Sequence, residues 1–349
     1  MMKSDHTSAV TGRTWHAFHS VYYDCHVVSL GQVAPRDVFY DWLTICAIPH
    51  IEAQWGGISC RNKLDSEPAR DVVLLNQMGV VKHHVPIVGD IAANVEATIR
   101  RQGYCVTRVD SFYHAHFEEF YRKQHRTNGH KVVVIDWDGE NYYGIDNVGV
   151  KTLVMDFAKD WFIESIRSNL FHVYEKEDTF YHFDAESLRA AEANTALRAA
   201  LVGEAVSAWH AHRAAHLDAF DVFARAFAHD IELGEPRGYA QQHNSYASAL
   251  MIETAYTALH EAWSHNSASL SAIAADPKAA LAALKGALQA WRMFKMLLKA
   301  RESGQAIPVS QLLNVLGQLL ERERAFDASI GLGRSAVFQP RLVESAAAG

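Results

Sequence analysis

The sequence predicts an α+β domain over residues 1–180, built on an antiparallel sheet, followed by an all-helical domain over residues 181–349. Three observations carry that expectation. Before about residue 180, short β-branched and aromatic runs alternate with helical stretches. After about Asp184 the chain is rich in Ala, Leu and charge, with apolar residues at three- and four-residue intervals. No apolar run reaches the roughly 18 residues that a membrane span needs.

In chain order, the strand-like runs of the first part are VVKHHV (80–85), YCVTRVD (104–110), KVVVIDW (131–137) and NYYGIDN (141–147). Between them, EPARDVVLLNQMG and GDIAANVEATIRRQG read as helices, each closed by a glycine just past its end. The segment MDFAKDWFIESIRS (155–168) also reads as helical. In the second part, helical periodicity runs over 186–229, 239–265, 275–302 and 309–328. Gly-Glu-Pro at 234–236 and Asp-Pro at 276–277 punctuate it.

With 349 residues, about half of them apolar, the chain can bury one large core or two ordinary ones. A net charge of −7 argues against a surface that tracks nucleic-acid phosphates. The opening MMKSDHTSAVTGRTWH has no apolar core of the kind a signal peptide carries, so a cytoplasmic protein is expected.

Cysteines stand at positions 25, 46, 60 and 105 and form neither a CxxC pair nor a zinc spacing. They are expected to be reduced thiols. Cys46, Cys60 and Cys105 lie in apolar settings and read as structural. Cys25 differs. In VYYDCHVVSLGQV an extended run gives way to a helix whose first residue is Cys25, with Asp24 placed to cap it. Backbone N–H groups and the helix dipole favour a thiolate there. A nucleophilic thiol also needs a base, and the base needs a group to orient it.

GHKVVVIDWDGENYYGIDN (129–147) can supply both. His130 opens one strand and Asp146 closes the next, so a hairpin turning at Asp136-Trp137-Asp138-Gly139 brings the two side by side. Asp136 and Asp138 themselves read as turn formers.

Cysteine at a helix start, then histidine at a strand start, then aspartate at the end of the next strand resembles the chain order of papain-like cysteine enzymes. DCHVVSL is similar to the DCG-type motif of the bacteriocin-processing cysteine peptidases. The segment from Asp110 to Asn147 resembles more closely the butirosin-biosynthesis-protein-H family. Its pattern of Asp-x-x-Tyr, a second Tyr, a His, and a His-strand-Asp-turn-strand-Asp unit falls on Asp110, Tyr113, Tyr121, His125, His130, Asp136 and Asp146. The likeness covers roughly 15–150; beyond 180 it is one of architecture, since members commonly carry a helical C-terminal domain.

The resemblance implies a papain-like domain with a Cys25–His130–Asp146 triad and no cofactor or metal. The implied activity moves an acyl or aminoacyl group from the phosphopantetheine thioester of an acyl or peptidyl carrier protein to a small-molecule amine. The product is an amide, of the kind made in specialised metabolism such as antibiotic or nonribosomal-peptide biosynthesis. The family's relatives place a glutamine several residues before the cysteine to help hold the oxyanion; here His19 stands six residues upstream and is the substitute candidate. Asp110, which follows a strand, is placed to contact a substrate amine, with Tyr113 and Tyr121 beside it.

Two rivals remain at this stage. A cysteine hydrolase, either a peptidase or a thioesterase, would use the same triad and admit water in place of the amine. A non-catalytic carrier- or ligand-binding protein would keep Cys25 without using it. Among the 20 histidines, His83-His84, His114-x-His116 and His210-x-His212 with His216 have ligand-like spacings, yet none comes with an acidic partner in an HExxH arrangement. Oligomeric state is left open.

Overall fold

The computed structural model describes residues 3–18, 25–54, 57–62, 68–85, 89–115, 118–125, 130–148, 151–172, 180–233, 236–266, 270–271 and 273–330. The chain divides into two compact units. The first comprises Met1–Pro49, Arg61–Val202 and Thr254–Asn266; the second comprises His50–Cys60, Gly203–Glu253 and Ser267–Gly349. The composition change near residue 180 therefore does not coincide with a passage from one unit to the other.

The first unit is mixed α and β around an antiparallel six-stranded sheet. Its strands are β5 (Lys82–His84), β6 (Cys105–Val109), β7 (His130–Trp137), β8 (Asn141–Val148), β9 (Lys151–Ala158) and β10 (Phe180–Phe183), in the order β5-β10-β6-β7-β8-β9. A two-stranded ribbon, β1 (Asp5–Thr7) with β2 (Thr14–His16), lies near the N-terminus. Helices α1 (Cys25–Val33), α2 (Arg36–Ala47), α3 (Pro68–Gln77), α4 (Ile91–Gln102), α5 (Lys159–His172) and α6 (Ala185–Ala193) belong to this unit. One sheet face presents Val132, Val134, Tyr142, Met155 and Phe157 to Val95 and Ile99 of α4 and to Phe162 and Ile166 of α5. Helix α1 packs against β7 and β8.

Local chemistry explains several boundaries. Asp90 caps α4 by accepting from the Ala92 N–H at 2.9 Å, and Gly103 ends the helix in the left-handed region at φ 84°. One helix expectation is overturned. Residues 155–158 are not helical: they complete β9, pairing with β8 from Asn141↔Ala158 to Val148↔Lys151. Met155 and Phe157 enter the core while Asp156 and Ala158 are exposed, which is a two-residue period; α5 begins only at Lys159. Helix α2 escapes periodicity for the opposite reason, since Val38 through Ala47 are all buried and no polar face marks it.

Buried polar groups tie distant segments together within this unit. Asp136 is not a turn residue: it lies in β7, where its carboxylate accepts from His6 Nε2 at 2.8 Å, Ser8 Oγ at 3.0 Å and the Ala9 N–H at 2.8 Å. Asp138 does form the turn, accepting from the Glu140 and Asn141 N–H groups at 2.8 and 2.7 Å. Gln32 of α1 clamps Phe18, accepting from its N–H at 2.9 Å and donating to its carbonyl at 2.7 Å. Asp41 of α2 accepts from Arg198 Nε at 2.7 Å and from Asn266 Nδ2 at 2.8 Å.

From Ala185 onward, the regular elements among the described residues are helices. Those contributing to the second unit are α7 (Thr195–Leu233), α8 (Pro236–His265), α9 (Pro277–Glu302) and α10 (Val309–Ser329). Asp276 caps α9 with its carboxylate on the Lys278 and Ala279 N–H groups, and Pro277 sits in the first turn, where a missing N–H costs nothing. The unit's core gathers Trp209, Phe220, Phe227, Trp291, Phe294 and Phe326. It also holds a buried ionic knot. Arg213 meets Glu323 at 3.0 Å and Asp327 at 2.8 Å, while Trp291 Nε1 donates to Glu323 at 2.6 Å. The β3 (His50–Gln54) and β4 (Gly57–Arg61) strands pair as a separate two-stranded sheet. No helix among the described residues is long and apolar enough to cross a membrane.

Candidate active site

Helix α1 starts at Cys25, whose first-turn position exposes it to unsatisfied backbone N–H groups. Cys25 is partly exposed, whereas Cys46, Cys60 and Cys105 are buried. Burial pushes the Cys105 thiol far up, which keeps it neutral and inert. His19 and Asp24, the expected oxyanion donor and helix cap, lie outside the described residues.

The β7–β8 hairpin brings His130 and Asp146 together: His130 Nε2 lies 2.7 Å from Asp146 Oδ1. Its other ring nitrogen is left for the hydrogen bond to Cys25. Asp146 is itself fixed by the Asn147 N–H, which donates to the same oxygen at 2.6 Å. The order thiol, imidazole, carboxylate is therefore continuous.

A bulge makes this alignment work. Near the turn, Trp137 pairs with Tyr142 and Asp136 with Tyr143; beyond a register shift at Ile135, Val134 pairs with Gly144 and Val133 with Ile145. Continuing the shifted register sets Asp146 opposite Val132, on the face that His130 shares two residues away. Continuing the unshifted register would set Asp146 opposite Val133, and the side chains would point to opposite faces. The extra residue in β7 is thus a condition for the pair. Gly144 has a matching role on the same face. A Cβ there would come within 2.6 Å of Val132 Cγ1 and 2.9 Å of Phe157 Cε2.

Burial of His130 disfavours its charge, but the Asp146 carboxylate, by charge and hydrogen bond, and then Cys25 outweigh it and push the pKa from 6.5 up to about 10. The imidazole is accordingly a strong proton acceptor for the thiol. The thiolate form that results is the nucleophilic one.

The segment between β6 and β7 carries a second histidine–aspartate pair. Asp110, fully buried at the end of β6, accepts from the Phe112 N–H at 3.0 Å, from Ser168 Oγ at 2.7 Å and from His125 Nδ1 at 2.7 Å. Its carboxylate is engaged by three donors of the protein itself. Tyr113, in a short 3-10 turn (Ser111–Tyr113), and Tyr121 line a cavity of about 560 Å3 together with Phe157, Trp161 and Phe162. Neither Asp110 nor any member of the triad lines that cavity. The Arg122 guanidinium stacks 4.9 Å from the Trp161 ring centroid and 5.2 Å from that of Tyr121.

Sequence reasoning missed the clamp of Gln32, the Asp110–Ser168 contact and the bulge. The Gln32 clamp falls on backbone groups of Phe18, which no residue type marks, and the Asp110–Ser168 contact joins residues 58 positions apart; neither leaves a local pattern. The third is legible only by counting residues from a known cross-strand pair. Among the described residues, no group of three or more His, Cys, Asp or Glu side chains converges as a metal site. His212 is exposed, and His216 is buried with its pKa lowered to about 4 by desolvation.

No family model matches the chain, and no curated protein matches it either.

Proposed function

We propose that the protein is a papain-like cysteine acyltransferase of the butirosin-biosynthesis-protein-H kind, forming an amide through a Cys25 acyl-enzyme. The observation that carries this reading is the unbroken chain from a partly exposed helix-start thiol, through His130, to the buried Asp146 carboxylate at 2.7 Å. In this mechanism His130 takes the Cys25 proton and the thiolate attacks the thioester carbonyl of a carrier-bound acyl group. The Cys25 backbone N–H, with His19 as second candidate, receives the oxyanion. The carrier thiol departs with the proton from His130, and an amine then attacks the acyl-enzyme. Asp146 fixes the imidazole tautomer throughout. Tyr113 and Tyr121 contribute to substrate binding through the cavity they line, and Asp110 caps the 3-10 turn that carries Tyr113. The reaction is set in the cytoplasm and in specialised metabolism.

The test is intact-mass measurement after incubation with acyl-pantetheine thioesters or acyl-loaded carrier proteins. A mass increase of one acyl group is expected on the wild type and not on Cys25→Ala. Normal turnover by Cys25→Ser and His130→Ala would refute the triad. Adding amines to the loaded enzyme separates transfer from hydrolysis, which the same three side chains would also support.

A further inference from the structure

The cavity beside the junction of β9 and α5 has features that the triad chemistry does not use. Its volume of about 560 Å3 is that of a small-molecule site, and its wall is mostly apolar. Three segments build it. Tyr113 comes from the 3-10 turn, Tyr121 from the turn over 118–123, and Phe157, Trp161 and Phe162 from the end of β9 and the start of α5. Phe157 and Phe162 are buried at its floor, whereas Trp161 is 42% exposed at its mouth.

Arg122 stands at that mouth. Its guanidinium carbon lies 5.2 Å from the Tyr121 ring centroid and 4.9 Å from that of Trp161, two of the rings that line the cavity. Arg122 is exposed, and among the described residues no carboxylate pairs with it. Its backbone N–H is fixed on the Phe112 carbonyl at 3.0 Å. Its φ of 53° is the only positive one outside glycine among the described residues. A residue with a Cβ is strained in that region, and glycine would adopt it freely. The turn therefore carries backbone strain together with a guanidinium held against two rings, its N–H edge left for an in-plane acceptor.

We propose that the cavity binds a small organic carboxylate with an apolar body, its head on the Arg122 guanidinium and its body packed among Tyr121, Trp161 and Phe157. A planar carboxylate accepts two parallel N–H bonds from a guanidinium, which fixes the head in position and direction. An aromatic-lined cavity also suits a basic ligand, but two ring faces at this mouth already hold a cation. Asp156 borders the cavity too. It is exposed and alternates with the buried Met155 and Phe157 along β9, which directs its carboxylate to the other face of the strand. Arg122 thus sets the preference for the head, and the apolar wall sets the preference for the body.

The test uses the full chain and three probes that share one apolar body. Phenylbutyrate, phenylbutanamide and phenylbutylamine carry an anionic, a neutral and a cationic head. Calorimetric titration of the wild type should give the carboxylate an affinity about tenfold above that of the amide, with the amine weakest. Arg122→Gln should bring the carboxylate down to the level of the amide and leave the amide itself within a few-fold of wild type. Trp161→Leu should weaken both, which locates binding in this cavity. Equal affinity for the three heads, tightest binding of the amine, or binding of none at millimolar concentration would each overturn the proposal. So would a carboxylate advantage that survives Arg122→Gln. Loss of the amide as well in Arg122→Gln would make Arg122 a support of the cavity wall, and unchanged binding in Trp161→Leu would place the probes elsewhere; either result also overturns it. No acyl donor is present in these titrations, so their outcome does not depend on the acyl-transfer reading. A wild type that takes up no acyl group in the mass measurement would remove that reading alone.

Discussion

Replacing Asp146 by Asn tests the electrostatic core of the site with little change of shape. In the wild type, His130 is raised from 6.5 to about 10 against the opposing effect of burial. That displacement corresponds to on the order of 5 kcal/mol in favour of the imidazolium, of which Cys25 supplies a share. Asparagine keeps a hydrogen-bonding group beside His130 but removes the charge. Burial should then dominate, and His130 is expected to titrate below 6.5, its ordinary value.

The effect on stability follows from the sign. A pKa raised on folding contributes stability that is complete below about pH 6.5 and is lost as pH rises through about 10. Urea unfolding at about pH 6 and about pH 10.5 should therefore show the wild type losing several kcal/mol more than Asp146→Asn over that interval. Other groups titrate in the same window in both proteins, so the difference between the two isolates this pair. Histidine NMR titration gives the pKa directly, and the pH dependence of iodoacetamide alkylation at Cys25 reports the thiolate. If His130 still titrates near 10 in Asp146→Asn, the carboxylate is not the cause of the shift and the argument fails.

Two further substitutions probe packing. Gly144→Ala puts a methyl group against Val132 and Phe157 at separations of 2.6 and 2.9 Å before relaxation. It should cost about 1–3 kcal/mol and slow Cys25 alkylation by shifting the strand that carries Asp146; an unchanged urea midpoint would show that the neighbours yield freely. In the helical unit, Glu323→Ala strips Trp291 Nε1 of its acceptor and leaves Arg213 with Asp327 as its remaining carboxylate. A loss of about 3–5 kcal/mol is expected by thermal unfolding, with Glu323→Gln milder; equal midpoints for Ala and wild type would contradict the buried-pair account.

What the sequence revealed tracks the range over which its residues interact. His130 and Asp146 are 16 residues apart and joined by one hairpin, so strand pattern and turn chemistry were enough to pair them. The helix starting at Cys25 was legible from its flanks, but its approach to His130 rested on chain order and a family resemblance, because no local rule joins α1 to β7. Asp136 looked like a turn residue beside Trp137 and Asp138. Instead it holds the N-terminal segment from 128 residues away through Ser8, a contact that no window of sequence contains. The same holds for Asp41, whose partners Arg198 and Asn266 lie 157 and 225 positions on. In 155–168 two periods sit end to end, and the stronger helical one obscured the four strand residues before it.

The extra residue at Ile135 makes the candidate site depend on a count being odd or even. Within the paired segments, a two-residue insertion or deletion in β7 between His130 and the bulge, or in β8 between Tyr142 and Asp146, would keep base and carboxylate on one face; a single-residue change there would separate them across the sheet. Chains sharing this site can therefore vary freely in the length of the turn, but within the paired segments only in even steps, unless a second irregularity restores the parity. A search for relatives that scores His and Asp by their identity alone would accept chains in which the two could never meet. One that also follows the parity of the paired residues on each strand, leaving the turn aside, would reject them.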